Sequence, residues 1–206
     1  MKTMGMYQGK KHVFPEYLVD AFQIAREVGG KDLKLILNEY GNDMAKNVRG
    51  PAFFKLVQAL RDEGIPVDGA GMQMHLKLTN GALFEGGDKA PYDFDSFDAM
   101  LREYEKERID VHITEFDIYL PTNPTPLDFQ LQGKYYADVL RHAFASPAVK
   151  SLKTWGFTDK YSWKRDGPDG HPLMLDTNFQ PKPAYLMSLE FLKTLAQSSA
   201  TNSNKL

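Results

Sequence analysis

The sequence VHITEFDIYL, residues 111–120, consists mainly of β-branched, aliphatic and aromatic residues, and this composition predicts a buried strand. It also carries two carboxylates, Glu115 and Asp117, which share a face because strand side chains alternate in direction. Burying an ionised carboxylate is unfavourable unless the group is paired or used in chemistry. The stretch therefore predicts a central strand of the fold and a functional site on that strand.

The chain on both sides of this stretch alternates between helical and strand patterns. Residues 79–91, TNGALFEGGDKAP, are expected to form a glycine-rich loop, and Leu140 and Phe144 are expected to face inward from their helix. The alternation predicts βαβ units, a parallel sheet and a single domain. Strands are predicted at residues 33–38, 67–75, 109–120 and 149–157, and helices at 15–28, 50–63, 94–104, 127–145 and 183–196.

Two α/β architectures fit this pattern. A doubly wound open sheet of about four or five strands suits a chain of this size. A (β/α)8 barrel normally needs about 250 residues, more than the 206 present here. The sequence lacks a dinucleotide fingerprint, a Walker loop and a GxSxG elbow, which counts against a nucleotide-binding doubly wound domain.

Composition narrows the classes of partner. The net charge is −2, with 25 basic and 27 acidic residues interleaved, so neither nucleic acid nor an anionic membrane surface is an expected partner. The absence of cysteine excludes disulfides and thiolate metal sites. The first residues, MKTMGMYQGKK, lack the apolar core of a signal peptide, and we expect no membrane association.

Polar and aromatic side chains collect at the carboxyl ends of the predicted strands, the edge where parallel α/β proteins bind ligands. Several of these side chains also have an ordinary structural interpretation. Glu115 could be a helix cap or a salt-bridge partner, His75 could be a structural histidine, and the two tryptophans could be core residues. Asp117 is interpreted as an orienting or structural acid. Together, a carboxylate, a neighbouring histidine and aromatic faces suit sugar chemistry. The candidate residues are Asn38, Gln73, His75, Glu115, Trp155 and Trp163.

Four blocks of sequence resemble the C-terminal half of the family 10 glycoside hydrolases, the xylanases of the retaining (β/α)8 clan. The resemblance extends from about residue 9 to residue 195 and implies strands 5–8 of a (β/α)8 TIM barrel, with their helices. We therefore expect residues 1–196 to be part of a catalytic barrel and residues 197–206 to be a disordered polar tail. The blocks are KLILNEYGND (34–43), VDGAGMQMHL (67–76), VHITEFDIYLP (111–121), and TWGFTDKYSW (154–163) with PLMLDTNFQPKPAY (172–185).

The resemblance also implies roles for the candidate residues. Glu115 would be the nucleophile in hydrolysis of internal β-1,4 links of xylan or xylo-oligosaccharides, and His75 would hold it ionised and aimed. Gln73 would reach substrate hydroxyls, and Asn38 would support the rim of the cleft. Trp155 and Trp163 would line the cleft on the glycone side. No metal or organic cofactor is required, and the alternative is a non-catalytic carbohydrate-binding fragment of such a barrel.

A retaining glycosidase needs a second carboxylate as acid/base, and the resemblance implies that this glutamate follows strand four. One βα unit before Glu39 falls ahead of Met1, so we expect the acid/base upstream of this chain. Glu39 itself is a weaker candidate for that role. Half a barrel has open strand edges, which are expected to promote self-association or pairing with a missing N-terminal half. A polymeric substrate implies that the parent enzyme is secreted or periplasmic.

Overall fold

The computed structural model describes residues 6–7, 10–11, 14–85, 90–164 and 170–203. The chain divides into two compact units, and the first comprises residues 1–73, 94–114 and 147–151. The helices are α1 (Glu16–Gly29), α2 (Arg49–Asp62), α3 (Phe94–Lys106), α4 (Pro126–Ala145) and α5 (Pro183–Ser203). The strands are β1 (Met6–Tyr7), β2 (Lys10–Lys11), β3 (Ile36–Glu39), β4 (Gly69–Met72), β5 (His75–Thr79), β6 (Ala82–Glu85), β7 (Asp110–Tyr119) and β8 (Val149–Thr154).

The first unit is built on a parallel sheet. β3 pairs in parallel with β4, and β4 pairs in parallel with the first half of β7. Every residue of β4 is buried, as expected for a strand between two neighbours in a covered sheet. Apolar side chains of α2 and α3 supply the core, including Val57, Leu60 and Phe97, and Phe54 packs edge-on against Tyr104 with ring centroids 5.0 Å apart. β1 and β2 form a separate antiparallel pair.

The second unit comprises residues 74–93, 115–146 and 152–206. β5 pairs in parallel with the second half of β7, and His75 lies opposite Asp117 in the register. α4 begins with a capping box, in which the Thr125 side chain accepts from the Asp128 N–H and the Asp128 carboxylate accepts from the Thr125 N–H. Phe116 and Tyr136 are fully buried in the core of this unit. The alternation of helix and parallel strand predicted from sequence is thus present in the predicted order.

The structure corrects the prediction for residues 67–91. The strand predicted at 67–75 ends at Met72, and a new strand begins at His75 after Met74, whose φ of 64° is left-handed. The predicted glycine-rich loop contains a β-hairpin of β5 and β6. Its two turn residues, Asn80 and Gly81, both have positive φ, and an Asn-Gly pair is the preferred sequence for this turn.

Two smaller differences concern the last helices. Phe144 is 49% exposed, so its predicted inward position is wrong, whereas Leu140 is buried. α5 continues through residues 197–203, where a polar tail was expected. A side-chain hydrogen bond from Ser198 to the Thr194 carbonyl, 2.9 Å, satisfies a polar group within this turn. The domain boundary at 196 stays a prediction, and residues 204–206 lie outside the described residues. None of the described helices combines the length and apolar character needed to cross a bilayer.

Gly133 in α4 tests the packing of α4 against α5. A Cβ at this position would lie 2.8 Å from the carbonyl carbon and oxygen of Pro183, which are backbone atoms and cannot rotate away. We expect Gly133→Ala to lower the free energy of unfolding by about 1 kcal/mol or more, because overpacking outweighs the gain in helix propensity. Urea titration measures the change.

The matched control is Gly29→Ala in α1, where a Cβ would meet only the side chain of Leu33, which is 48% exposed and able to move. We expect that substitution to leave the free energy of unfolding unchanged or slightly increased. Equal losses in the two variants would contradict the close approach of α4 and α5.

Candidate active site

The site lies within the second unit, where β5 and the second half of β7 run side by side. Met74 is buried in a left-handed conformation that few side chains other than glycine and asparagine adopt readily. This residue separates β4 from β5 and sets the register in which His75 lies opposite Asp117. Gln73 and His75 therefore do not lie on one continuous strand, contrary to the sequence interpretation.

His75 bridges two carboxylates. Its Nδ1 lies 2.9 Å from Asp117 Oδ1, and its Nε2 lies 3.3 Å from Glu115 Oε2. Carboxylate oxygens only accept hydrogen bonds, so satisfying both contacts requires an N–H on each ring nitrogen. The geometry therefore favours the imidazolium form of His75.

Electrostatics agree with this geometry. Burial lowers the pKa of His75, but hydrogen bonds and charge interactions with Asp117, and then with Glu115, outweigh burial. The net result is a pKa raised above the ordinary value of 6.5. The site therefore contains two carboxylates bridged by a cation over a wider pH range than an isolated histidine would allow.

Asp117 is the most deeply buried member of the site, with no solvent exposure. Its second oxygen, Oδ2, accepts a hydrogen bond of 2.7 Å from Nε1 of Trp163. Each oxygen of this carboxylate thus has a donor, one from an imidazole and one from an indole. The predicted site residues omit Asp117, although its spacing of two from Glu115 placed both on one face of the strand.

Two tryptophans flank the imidazole of His75. The ring of Trp163 lies 5.0 Å from it, centroid to centroid, and the ring of Trp155 lies 6.4 Å from it and nearly perpendicular. Trp155 is 49% exposed and Trp163 is 53% exposed, so neither is an ordinary core residue. Half-exposed aromatic faces beside a carboxylate offer stacking surfaces for a ligand.

Asn38 and Gln73 belong to the first unit. Asn38, the third residue of β3, is exposed, and its Oδ1 accepts a 2.7 Å hydrogen bond from the Thr114 hydroxyl. Gln73 is half-buried, and its backbone N–H donates to the carbonyl of Glu39 at 3.0 Å. The substrate-binding roles of both residues stay predictions. Within the described residues, no group of three or more histidine, aspartate or glutamate side chains could hold a metal ion.

Comparison with known proteins assigns the family. The model described as "Glycosyl hydrolase family 10" matches residues 6–190. This chain belongs to glycosyl hydrolase family 10. Endo-1,4-beta-xylanase B of Thermotoga neapolitana is 31% identical over 87% of this chain and 49% of its own length. Endo-1,4-beta-xylanase A of Caldicellulosiruptor saccharolyticus is 31% identical over 88% of this chain and 54% of its own.

Solved structures of the family share the fold. Xylanase 10B of Thermotoga maritima matches with a TM-score of 0.78 and 29% identity, over 95% of this chain and 60% of its own. Xylanase 10B of Thermotoga petrophila, crystallised with xylobiose, matches with a TM-score of 0.76 and 31% identity, over 87% of this chain and 52% of its own. The chain spans about half the length of these relatives and covers part of a (β/α)8 barrel. The doubly wound alternative is wrong.

Replacing Trp163 by phenylalanine tests the contact with Asp117. The substitution keeps an aromatic ring but removes the only indole donor to Asp117 Oδ2 among the described residues. We expect the free energy of unfolding, measured in urea, to fall by about 1–3 kcal/mol, because a buried acceptor loses its partner. Trp155→Phe is the matched control and is expected to show a smaller loss. Equal losses of unfolding free energy in the two variants would contradict a stabilising hydrogen bond from Trp163 to Asp117.

The raised pKa of His75 predicts how stability depends on pH. A folded-state pKa above the unfolded value of 6.5 stabilises the fold fully below pH 6.5, and this contribution is lost as the pH rises through the folded pKa. We therefore expect the difference in unfolding free energy between the native chain and His75→Gln to shrink as the pH rises from 6.5 through the folded-state pKa of His75. Urea unfolding at a series of pH values measures it, and a difference independent of pH would contradict the bridged imidazolium.

Proposed function

We propose that this chain is the nucleophile-bearing part of a retaining endo-1,4-β-xylanase. The observation that carries the proposal is the carboxylate of Glu115, held 3.3 Å from His75 Nε2 in a chain of glycosyl hydrolase family 10. His75 is held in turn by Asp117, so the imidazole has a fixed orientation toward Glu115. A nucleophile oriented by a second group, which is itself oriented by a third, is the usual arrangement in covalent catalysis.

In the proposed reaction, a carboxylate oxygen of Glu115 attacks the anomeric carbon of a xylose unit. The new C–O bond forms as the glycosidic C–O bond breaks, and the leaving oxygen takes the electron pair together with a proton from the acid/base. Water then attacks the same carbon, gives up a proton to that base, and releases Glu115 as a carboxylate. His75 keeps the carboxylate in line for both steps.

The substrate class is supported by the relatives and by the two tryptophans. The similar proteins are described as endo-1,4-beta-xylanases, and one of their structures is a complex with xylobiose. The exposed faces of Trp155 and Trp163 beside His75 are suited to stacking on pyranose rings. Gln73 and Asn38 are proposed to contact sugar hydroxyls, as the family resemblance implies.

The acid/base is assigned to no described residue. A retaining enzyme places its two carboxyl groups about 5–5.5 Å apart, and the resemblance puts the second one after strand four. Glu39, the weaker candidate, is exposed, and its Oε1 accepts a hydrogen bond of 2.8 Å from the backbone N–H of Tyr40. We propose that a segment carrying the first four strands supplies this group.

A non-catalytic carbohydrate-binding role is the second candidate. The half-exposed tryptophans favour it, because stacking on sugars requires neither a nucleophile nor an acid/base. The two candidates differ in one chemical property: only the enzyme forms a covalent bond between Glu115 and the sugar.

A 2-fluoro aryl xylobioside with an activated leaving group tests this difference. Its aryloxide departs without protonation, so a nucleophile can react even where acid assistance is weak. We expect the intact chain to gain the mass of one 2-fluoroxylobiosyl group, and peptide mapping to locate the ester at Glu115. Because the fluorine slows hydrolysis of the ester, the adduct should accumulate.

Two variants make the trapping experiment specific. Glu115→Gln should give no adduct, whereas Glu105→Gln, an exposed glutamate of α3, should react as the native chain does. Binding of xylobiose by the native chain without any adduct would contradict the enzymatic proposal and favour the carbohydrate-binding alternative.

A further inference from the structure

Lys182 is a buried cation outside the site described above. It is 5% exposed, and its Nζ donates to Asp159 Oδ2 at 2.9 Å and to the carbonyls of His171 and Leu173, each at 2.7 Å. An ammonium group has three N–H donors, so these contacts use all of them. Burial lowers the pKa of Lys182, and the charge of Asp159 opposes this effect.

Asp159, the partner of Lys182, is also buried and is fixed on both oxygens. Its Oδ1 accepts from the backbone N–H of Leu173 at 2.8 Å, while Oδ2 accepts from Lys182. Asp159 opens a short 3-10 helix, Asp159–Tyr161, and its carbonyl accepts the N–H of Ser162 at 3.3 Å. The residue that follows Ser162 is Trp163. The ion pair therefore fixes the start of the segment that delivers the indole to the site.

From Trp163 the contacts continue without a gap to Glu115. Trp163 donates to Asp117 at 2.7 Å, Asp117 contacts His75 at 2.9 Å, and His75 contacts Glu115 at 3.3 Å. We propose that the buried ion pair of Lys182 and Asp159 positions the carboxylate of Glu115, acting through Trp163, Asp117 and His75. The inference rests on the proposed function, because it takes Glu115 as the nucleophile.

A purely structural role for the ion pair is the competing explanation. Apolar residues filling the same space would avoid the desolvation of two charges and are often at least as stabilising. The ammonium of Lys182 has three acceptors, and the carboxylate of Asp159 has two donors. Unlike apolar contacts, these hydrogen bonds fix the direction of each side chain. Direction matters for a segment whose indole N–H must meet Asp117, since small displacements of a reacting group reduce rates strongly.

The test compares the native chain with Lys182→Met and Asp159→Asn. Asp159→Asn preserves the side-chain volume and an acceptor for Leu173, so it is the milder change. Lys193→Met is the matched control, since Lys193 is an exposed lysine of α5. Near-ultraviolet circular dichroism first tests whether each variant retains native packing. Two readouts follow: the rate of adduct formation with the 2-fluoro xylobioside, and NMR of the His75 ring titration and the Trp163 indole N–H.

We expect adduct formation to slow by about tenfold or more in both variants. The His75 titration and the Trp163 indole resonance should shift, while Lys193→Met leaves all readouts at native values. A folded variant with a native trapping rate and native NMR readouts would overturn the proposal. Loss of native packing in both variants would also overturn it, because the ion pair would then be a requirement of the fold. If the native chain forms no adduct, the proposed function fails, and the NMR readouts still decide whether Lys182 positions this site.

Discussion

The second unit depends on a carboxylate that has no contact with water. Asp117 is fully buried, and an ionised group in that position is tolerated only with good partners on both oxygens. His75 and Trp163 provide them, one from the neighbouring strand and one from the segment after β8. Burial raises the pKa of Tyr136, and the negative charges of Asp117 and Asp159 add to this effect. The Tyr136 hydroxyl donates to the Pro172 carbonyl at 2.6 Å. The buried charge thus determines which groups can surround it.

The two carboxylates on the same face of β7, Asp117 and Glu115, differ in how far they meet this requirement for burial and partners. Asp117 is completely enclosed and fully used by its donors, so it can orient but has no access to a ligand. The side chain of Glu115 remains 15% exposed and meets His75 at the longer distance of 3.3 Å. The two half-exposed tryptophans flank that same imidazole. Two positions on one face of a strand thus differ in access to solvent, and this difference is the basis for proposing different roles for them. The imidazole that stabilises the buried carboxylate of Asp117 also contacts Glu115, the proposed nucleophile.

Local patterns predicted most of this arrangement, and the parts they missed depend on non-local geometry. The period of two placed Glu115 and Asp117 on one face, and the sequence blocks identified the family and the barrel strands. The break between β4 and β5 could not be predicted, because a left-handed Met74 has no signature in residue type. The hairpin at Asn80 and Gly81 did have a local signal, but it lay within a glycine-rich stretch that also fits a loop. The pairing of Lys182 with Asp159 joins residues distant in the chain, which no periodicity reveals.

The charge state of the site fits the proposed chemistry. Two carboxylates with a neutral histidine would carry two negative charges in a poorly hydrated region, whereas an imidazolium between them leaves one. The proposed substrate has an uncharged backbone of xylose units, so the proposed function requires no strong charge for binding. The transition state of glycoside cleavage, however, develops positive charge at the sugar ring. In the proposed reaction, a single net negative charge held by fixed hydrogen bonds would stabilise that developing charge without reorganising.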